Sequence, residues 1–168
     1  MKKFKAFGTF LSLIAFFAMP LAYSEDTTEK WKYPRIEYSG TFGGGMGAGL
    51  IGDSYGFTVQ GQVSFMLSKE GFFEDVSNQV HLEFSIGPTF GFTNATPIQY
   101  SAHARWDFLY DRTWTFFAIG GLAGSAGGGS FKLFPRFGLG AFYRFTEFLW
   151  LRSEISHEQI LFGLTVPF

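Results

Sequence analysis

The three histidines are the residues of this chain with the most versatile chemistry, and one of them has a serine nearby. Ser101 and His103 are two residues apart. A serine nucleophile needs its histidine base within hydrogen-bond reach, and residues two apart on a strand are separated by about 6.6 Å. We therefore interpret His81 and His103 as polar fillers of a protein interior, and we predict no catalytic residue.

Three glycines have the spacing of a dinucleotide-binding loop, namely Gly47, Gly49 and Gly52. That loop requires a following helix, whose N-terminus holds the pyrophosphate. Here the glycines are followed by alternating apolar and polar residues from Phe57 onward, a pattern typical of a strand. We predict a flexible loop and no cofactor.

Acidic residues cluster in one further segment, at Glu70, Glu74 and Asp75. Carboxylates in a turn can hold a cation, but we interpret these as the solvated side chains of a long turn. The chain has no cysteine, which excludes a disulfide scaffold and a thiolate zinc site. We predict no metal site.

The first 24 residues have the features of a secretory signal peptide. Lys2, Lys3 and Lys5 precede a short apolar core, and the segment 22–24 (Ala-Tyr-Ser) offers small residues for cleavage. A membrane anchor is the alternative, but the apolar run is shorter than the roughly 20 residues of a spanning helix. Residues 25–33 form a polar N-terminal segment of the exported chain.

The rest of the chain alternates with a period of two, which indicates β-strands. We predict an all-β fold, an eight-stranded antiparallel up-and-down transmembrane β-barrel that occupies residues 34–168. The predicted strands are 34–47, 57–68, 79–92, 98–110, 114–123, 133–145, 148–156 and 160–168. Tight turns fall at 111–113 and 146–147, and looser glycine-rich connections at 48–56 and 124–132.

Alternation alone does not distinguish a membrane barrel from a soluble, secreted, ligand-binding barrel. The composition of the polar face favours the membrane barrel, because it consists mainly of Gly, Ser, Thr and Gln, which suit the narrow interior of eight strands. Aromatic residues gather on the apolar face around two predicted periplasmic turns, where an aromatic girdle belongs. These residues are Trp106, Phe108, Tyr110, Trp114, Phe116, Tyr143, Phe145 and Phe148.

The last nine residues alternate up to a terminal aromatic, through Ile160, Phe162, Leu164, Val166 and Phe168. This pattern resembles the closing strand of bacterial outer-membrane barrels. The segments 135–145 and 149–154 likewise look like the last hairpins of small OmpA-like and OmpX-like barrels.

That resemblance implies the outer membrane of a Gram-negative bacterium as the location. It also implies that Phe168 is an assembly signal read by the barrel-assembly machinery, and that outer-membrane lipid or lipopolysaccharide is a partner. The net charge is −1 for the whole chain and becomes −1 − 3 = −4 once Lys2, Lys3 and Lys5 are removed with the signal peptide. This mildly negative charge argues against a nucleic-acid partner. The oligomeric state is left open.

Barrels of this class include structural tethers, adhesins and lipid-modifying enzymes. Lipid A deacylases among them carry a His-x-Ser pair that faces lipid, whereas His81, His103 and His157 are followed two residues later by Glu83, Arg105 and Gln159. We therefore expect a closed barrel with a structural or surface-interaction role rather than a catalytic one. A lipid A or phospholipid-modifying enzyme on the same barrel is the alternative.

The polar face also carries charges of both signs, which the alternation places inside the barrel. We predict a structural lumen charge network of Arg35, Glu37, Glu83, Arg105, Asp107, Arg144, Arg152 and Glu154. Arg136 adds a charge nearer the outside, and Phe142 and Trp150 share the inward parity. Because isolated buried charges are costly, these groups should pair and plug the interior. A one-residue shift of strand seven, which would turn Arg152 and Glu154 toward lipid, is the alternative.

Overall fold

The computed structural model describes residues 38–51, 54–69, 71, 77–91, 96–127 and 129–168. The predicted signal peptide (1–24), the polar segment (25–33) and the predicted turn acids Glu70, Glu74 and Asp75 lie outside these ranges, as do Arg35 and Glu37. The described residues form eight strands. They are β1 (Gly40–Ile51), β2 (Ser54–Ser68), β3 (Asn78–Gly91), β4 (Ile98–Leu109), β5 (Trp114–Gly127), β6 (Ser130–Arg144), β7 (Trp150–Ser156) and β8 (Gln159–Pro167).

Each strand pairs with its neighbours in sequence, and β1 pairs with β8 to close the barrel. All pairings are antiparallel, so the predicted eight-stranded up-and-down fold is confirmed. We call the end of the barrel where β1 begins and β8 ends the closure end. The opposite end, where β1 ends and β8 begins, is called the hairpin end. Within the described ranges, no helix has the length and apolar character needed to cross a membrane.

The first strand and the glycine-rich connections differ from the sequence prediction. β1 begins at Gly40 rather than at residue 34, and it continues to Ile51 through glycines for which the sequence predicts a loop. β5 likewise extends to Gly127, and β6 begins at Ser130. The connection between them is therefore a tight one, in which Gly129 adopts φ = +80°, a conformation that glycine adopts at no steric cost.

Side chains alternate between the interior and the outer wall along most of each strand, and most of the apolar ones are outside. On β3, Glu83 and Ser85 are buried whereas Phe84 and Ile86 are 42% and 62% exposed. A soluble barrel has the reverse distribution, with apolar residues inside. A closed sheet with an apolar outer wall is the form in which strands satisfy their backbone groups in lipid.

Large side chains fill the interior at the closure end and leave no open channel among the described residues there. Phe117, Phe142 and Trp150 are at most 2% exposed, and Tyr38 and Ile119 complete the cluster. Eight strands enclose a space that side chains just fill.

Candidate functional site: the buried charge network

Glu83 on β3 is the centre of the charged interior. Its side chain is fully buried and accepts hydrogen bonds from two arginines on other strands. Arg152 on β7 donates through both terminal nitrogens, Nη1 to Oε2 at 2.8 Å and Nη2 to Oε1 at 2.6 Å. Arg105 on β4 donates through Nη1 to Oε2. A carboxylate held by this two-pronged geometry is strongly oriented, so Glu83 links strands on opposite sides of the barrel.

Toward the closure end, Arg105 also holds Asp107 on its own strand. Nε donates to Oδ1 at 2.8 Å and Nη2 donates to Oδ2 at 3.0 Å. Asp107 accepts a further bond from the Tyr38 hydroxyl at 2.8 Å, and His81 Nε2 lies 3.4 Å from Oδ2. Tyr38 stacks on His81 with ring centroids 5.2 Å apart.

Toward the hairpin end, the network continues through Glu154 on β7. Its carboxylate accepts from Arg152 Nη2 at 2.6 Å and from Arg136 Nη2. Arg136 Nε lies 3.2 Å from Glu158 Oε1, and Glu158 Oε2 lies 2.9 Å from Nδ1 of the half-exposed His157. Ion pairs therefore run along the interior from Asp107 to the rim at the hairpin end.

Aromatic faces complete the environment of the arginines. The Arg152 guanidinium lies 4.8 Å from the centroid of Phe117, and that of Arg105 lies 4.9 Å from Phe142. Cations over aromatic faces are attracted by the ring quadrupole. The buried guanidinium groups thus have their edges on carboxylates and their flat faces on aromatic rings.

The predicted lumen residues thus separate into three groups. Glu83, Arg105, Asp107, Arg152 and Glu154 lie together in the ion-paired interior, which rules out the shifted register of strand seven. Arg144 is only partly buried; it donates to Thr115 Oγ1 at 2.8 Å and stacks on Trp150, 4.9 Å from its centroid. Arg35 and Glu37 lie outside the described residues.

Sequence reasoning missed two members of the site. Glu158 lies in the connection after β7, yet it keeps the parity of Arg152 and Glu154, so extending the strand pattern would have found it. Tyr38 has the opposite parity to the interior residues of β1. It enters the interior because regular strand pairing begins only at Gly40, and periodicity carries no signal for that.

The positions of Ser101 and His103 contradict the prediction that two residues so spaced on a strand cannot form a hydrogen bond. Ser101 Oγ lies 3.1 Å from His103 Nδ1, and His103 Nε2 lies 3.1 Å from Glu83 Oε1. Side chains that lean along a strand therefore do connect residues two apart. Ser101 is 6% exposed, and its hydroxyl also contacts Ser85 Oγ at 2.7 Å and accepts from Arg136 Nη1 at 3.1 Å. Its hydrogen-bonding capacity is thus already used.

Neutral side chains close the interior toward the hairpin end. The Gln60 amide donates to Gln99 Oε1 and to Gln159 Oε1, both at 2.9 Å. Gln159 donates back to Gln60 Oε1 at 3.2 Å. Thr58 and Thr89 share a hydrogen bond beside them at 3.1 Å. These hydrogen bonds cross-link β2, β3, β4 and β8 across the interior.

Phe168 lies at the opposite, closure end, where it completes the seam between β8 and β1. Its carbonyl accepts from the amides of Ser39 at 2.6 Å and Gly40 at 3.1 Å, and its own amide donates to Gly40 O at 3.0 Å. The ring is 54% exposed on the outer wall, with its centroid 6.2 Å from that of Phe65.

No cluster of His, Asp and Glu suited to a metal ion occurs within the part of the chain that the structure describes. No protein-family model matches the sequence, and no curated protein matches it significantly. Solved structures do match.

The N-terminal β-barrel domain of Pseudomonas aeruginosa OprF superimposes with a TM-score of 0.56 at 16% identity, covering 78% of this chain and 97% of that one. A designed transmembrane β-barrel gives a TM-score of 0.55 at 11% identity, covering 79% and 98%. The fold is that of the small eight-stranded transmembrane barrels. The outer-membrane enzyme PagL gives 0.51 at 14% identity, covering 76% and 99%. At these identities the likeness concerns the fold alone, and the same fold serves both enzymes and other proteins.

Proposed function

We propose that this protein is an integral outer-membrane barrel of a Gram-negative bacterium with a closed, side-chain-filled lumen and a structural or surface-interaction role. The observation that carries the proposal is the interior itself, in which Glu83, Arg105 and Trp150 have no exposed surface. Paired charges and rings fill the space that a pore would need. Arg35 and Glu37 remain predicted members of this network.

A closed lumen has a direct electrical consequence. Purified, folded protein reconstituted into a planar bilayer should give no large, stable conductance, because ion pairs and rings block a continuous water path. The unfolded protein, added at the same concentration, controls for detergent leaks. Steady porin-like channels from the folded sample would contradict the plugged lumen and favour a pore.

Membrane insertion follows from the apolar outer wall. The exported protein should require detergent for solubility, and it should migrate differently on gels before and after boiling, since folded barrels resist unfolding by detergent. A monomer that stays soluble without detergent after export would contradict the membrane location.

The role of Phe168 as an assembly signal can be separated from its role in the seam. Deleting Phe168 removes both the ring and the backbone bonds to Ser39 and Gly40, whereas Phe168→Ala removes the ring alone. We expect both variants to be exported normally and to give less folded protein in the outer membrane. Wild-type amounts of folded Phe168→Ala protein would leave the seam as the only role.

A lipid A or phospholipid-modifying enzyme is the second candidate, and the Ser101–His103–Glu83 hydrogen bonds are the observation that favours it. The burial of Ser101 and its bonds to Ser85 and Arg136 disfavour it. Mass spectrometry of lipid A and phospholipids from cells with the protein, without it and with Ser101→Ala distinguishes the two. A modification that disappears with Ser101→Ala, while the folded amount is unchanged, would establish the enzyme.

A further inference from the structure

The wall of the barrel is lower at β7 and β8 than elsewhere. These strands have 7 and 9 residues, whereas the other six have 12 to 15. β7 pairs with β6 only from Arg144 to Gly138. Toward the hairpin end, β6 continues to Ser130, and among the described strands only β5 pairs with it there. One side of residues 130–136 therefore faces a gap in the wall, and we call this side the open edge.

The open edge presents an ordered row of backbone groups. Alternate residues of a strand direct their N–H and C=O groups to opposite sides. Phe137 O accepts a hydrogen bond from His157 N at 3.4 Å, on the β7 side, so the odd-numbered residues of β6 face that side. Phe131 and Leu133 therefore direct both backbone groups into the gap, whereas Pro135, which has no N–H, directs only its C=O there.

The side chains along the open edge divide into an apolar face and a charged face. Phe131 and Leu133 project from the outer wall at 70% and 57% exposure, and Pro135 is exposed beside them. Lys132 lies between them, is exposed, and has the inward parity of Arg136. A strand placed against the open edge would thus have apolar neighbours on one face and a cation on the other.

The gap is wide enough for an added strand. Because β7 and β8 end below this level, β6 and β1 are separated there by three strand spacings, or roughly 14 Å. Residues 130–136 extend for roughly 20 Å along the gap. Donors and acceptors that repeat at strand spacing match the backbone of an extended peptide, as in the recognition mode in which a peptide adds a strand to a sheet edge.

The rest of this chain is poorly placed to supply that strand. The residues before Tyr38 precede β1, which begins at the closure end, and they would have to cross the hydrocarbon as an unpaired chain to reach the gap. The longest connection at the hairpin end, residues 92–97, joins β3 to β4. Because it must return to β4, it extends about 10 Å at most.

A second copy in the same membrane does not fit the open edge either. Two barrels related by an axis along the membrane normal have β6 strands that run in the same sense. Since each strand is tilted by about 35–45°, the two would cross at roughly 70–90° and could not form a ladder. The occupant that matches the edge is therefore a segment of a different protein.

We propose that the open edge binds an extended segment of another protein as an added antiparallel strand. The segment alternates, with apolar side chains beside Phe131 and Leu133 and an acidic side chain opposite Lys132. At most five backbone hydrogen bonds form, because Pro135 lacks the sixth donor, and this limits the strength of the contact. The proposal names the kind of partner for the surface-interaction role proposed above and rests on that role.

Amide hydrogen exchange tests the added strand directly. The probe is a short synthetic peptide that alternates valine with polar residues and carries one central glutamate, added to the folded protein in detergent micelles. We expect the peptide to slow exchange at the amides of Phe131 and Leu133. The amides of Lys132 and Phe134 face β5 and should not change. The same peptide N-methylated throughout cannot donate backbone hydrogen bonds, and it should give no protection.

Two variants test the backbone and the charge separately. Leu133→Pro removes a donor from the open edge but none from the ladder with β5, so it should weaken peptide binding roughly fivefold, the effect of one hydrogen bond of average net strength. Leu133→Ala keeps that donor and is its matched control. Lys132→Glu should weaken binding of the glutamate peptide and strengthen binding of a peptide with lysine in its place. The gel shift on boiling verifies that each variant is folded.

Several results would overturn the peptide site. Unchanged exchange at Phe131 and Leu133 with the peptide present would do so, as would equal protection by the N-methylated peptide. Protection that rises with protein concentration alone would assign the edge to a second copy, and protection on transfer to bilayer discs without peptide would assign it to lipid. Porin-like conductance or solubility without detergent would instead contradict the proposed function, whatever the exchange experiment shows.

Discussion

Replacing Glu83 with alanine should lower the free energy of unfolding by roughly 3–5 kcal/mol, the cost of breaking a buried ion pair by removing one partner. The substitution leaves the buried guanidinium groups of Arg105 and Arg152 without their shared carboxylate. It also removes the acceptor of His103 Nε2. Urea unfolding of the folded protein in lipid vesicles, followed by tryptophan fluorescence, measures the change.

Two further variants separate charge from packing. Glu147→Ala removes a carboxylate from the exposed turn between β6 and β7 and should leave stability unchanged. Glu83→Gln keeps the shape of the side chain and one acceptor oxygen, so it should destabilise the barrel less than Glu83→Ala does. If Glu83→Ala is as stable as the wild-type protein, the interior admits water and the closed-lumen proposal loses its basis.

Trp150→Ala should cost roughly 3–5 kcal/mol, the range for removing a large aromatic side chain from a packed interior. The ring is fully buried. It meets Tyr38 edge-on at 4.9 Å between centroids, and Phe142 at 5.7 Å. Barrel strands are fixed by their hydrogen bonds to both neighbours, so the wall has little freedom to collapse into the space left behind. The same urea unfolding, followed here by the gel shift on boiling, measures the loss.

Phe148→Ala is the matched aromatic control, because its ring is 68% exposed in the turn before β7. We expect it to cost much less than Trp150→Ala. Equal losses for the two variants would mean that burial in the lumen contributes nothing beyond the removal of an aromatic side chain.

The fold is predictable from the sequence because a barrel strand has only two faces. Alternation from Phe57 to Ser68 and from Val80 to Phe90 placed each side chain on one of them, and a closed sheet was the arrangement that fitted an apolar exterior. The strand ends were less accessible. Gly47 and Gly49 carry no alternation signal, so the pattern does not show that β1 extends to Ile51.

For the site, the sequence predicts only which charged side chains point inward. Parity assigns Glu83 and Arg152 to the interior, but which inward residues meet depends on the curvature and closure of the whole barrel, which local periodicity does not contain. The contact between Ser101 and His103 was missed for a different reason. Strand positions two apart are separated by about 6.6 Å, but the side chains of Ser101 and His103 lean toward one another and bring Oγ within 3.1 Å of Nδ1.

The ion pairs between β3 and β7 also bear on the order in which the barrel is completed. Arg105 and Glu83 belong to adjacent strands and can meet as soon as one hairpin forms. Arg152 is 69 residues from Glu83, and closing so long a loop carries an entropic cost before any contact repays it. A half-built sheet therefore exposes Glu83 with one of its two guanidinium partners missing. When β7 joins the sheet, Arg152 supplies the second partner. The C-terminal strands therefore stabilise the closed barrel relative to the partly assembled sheet.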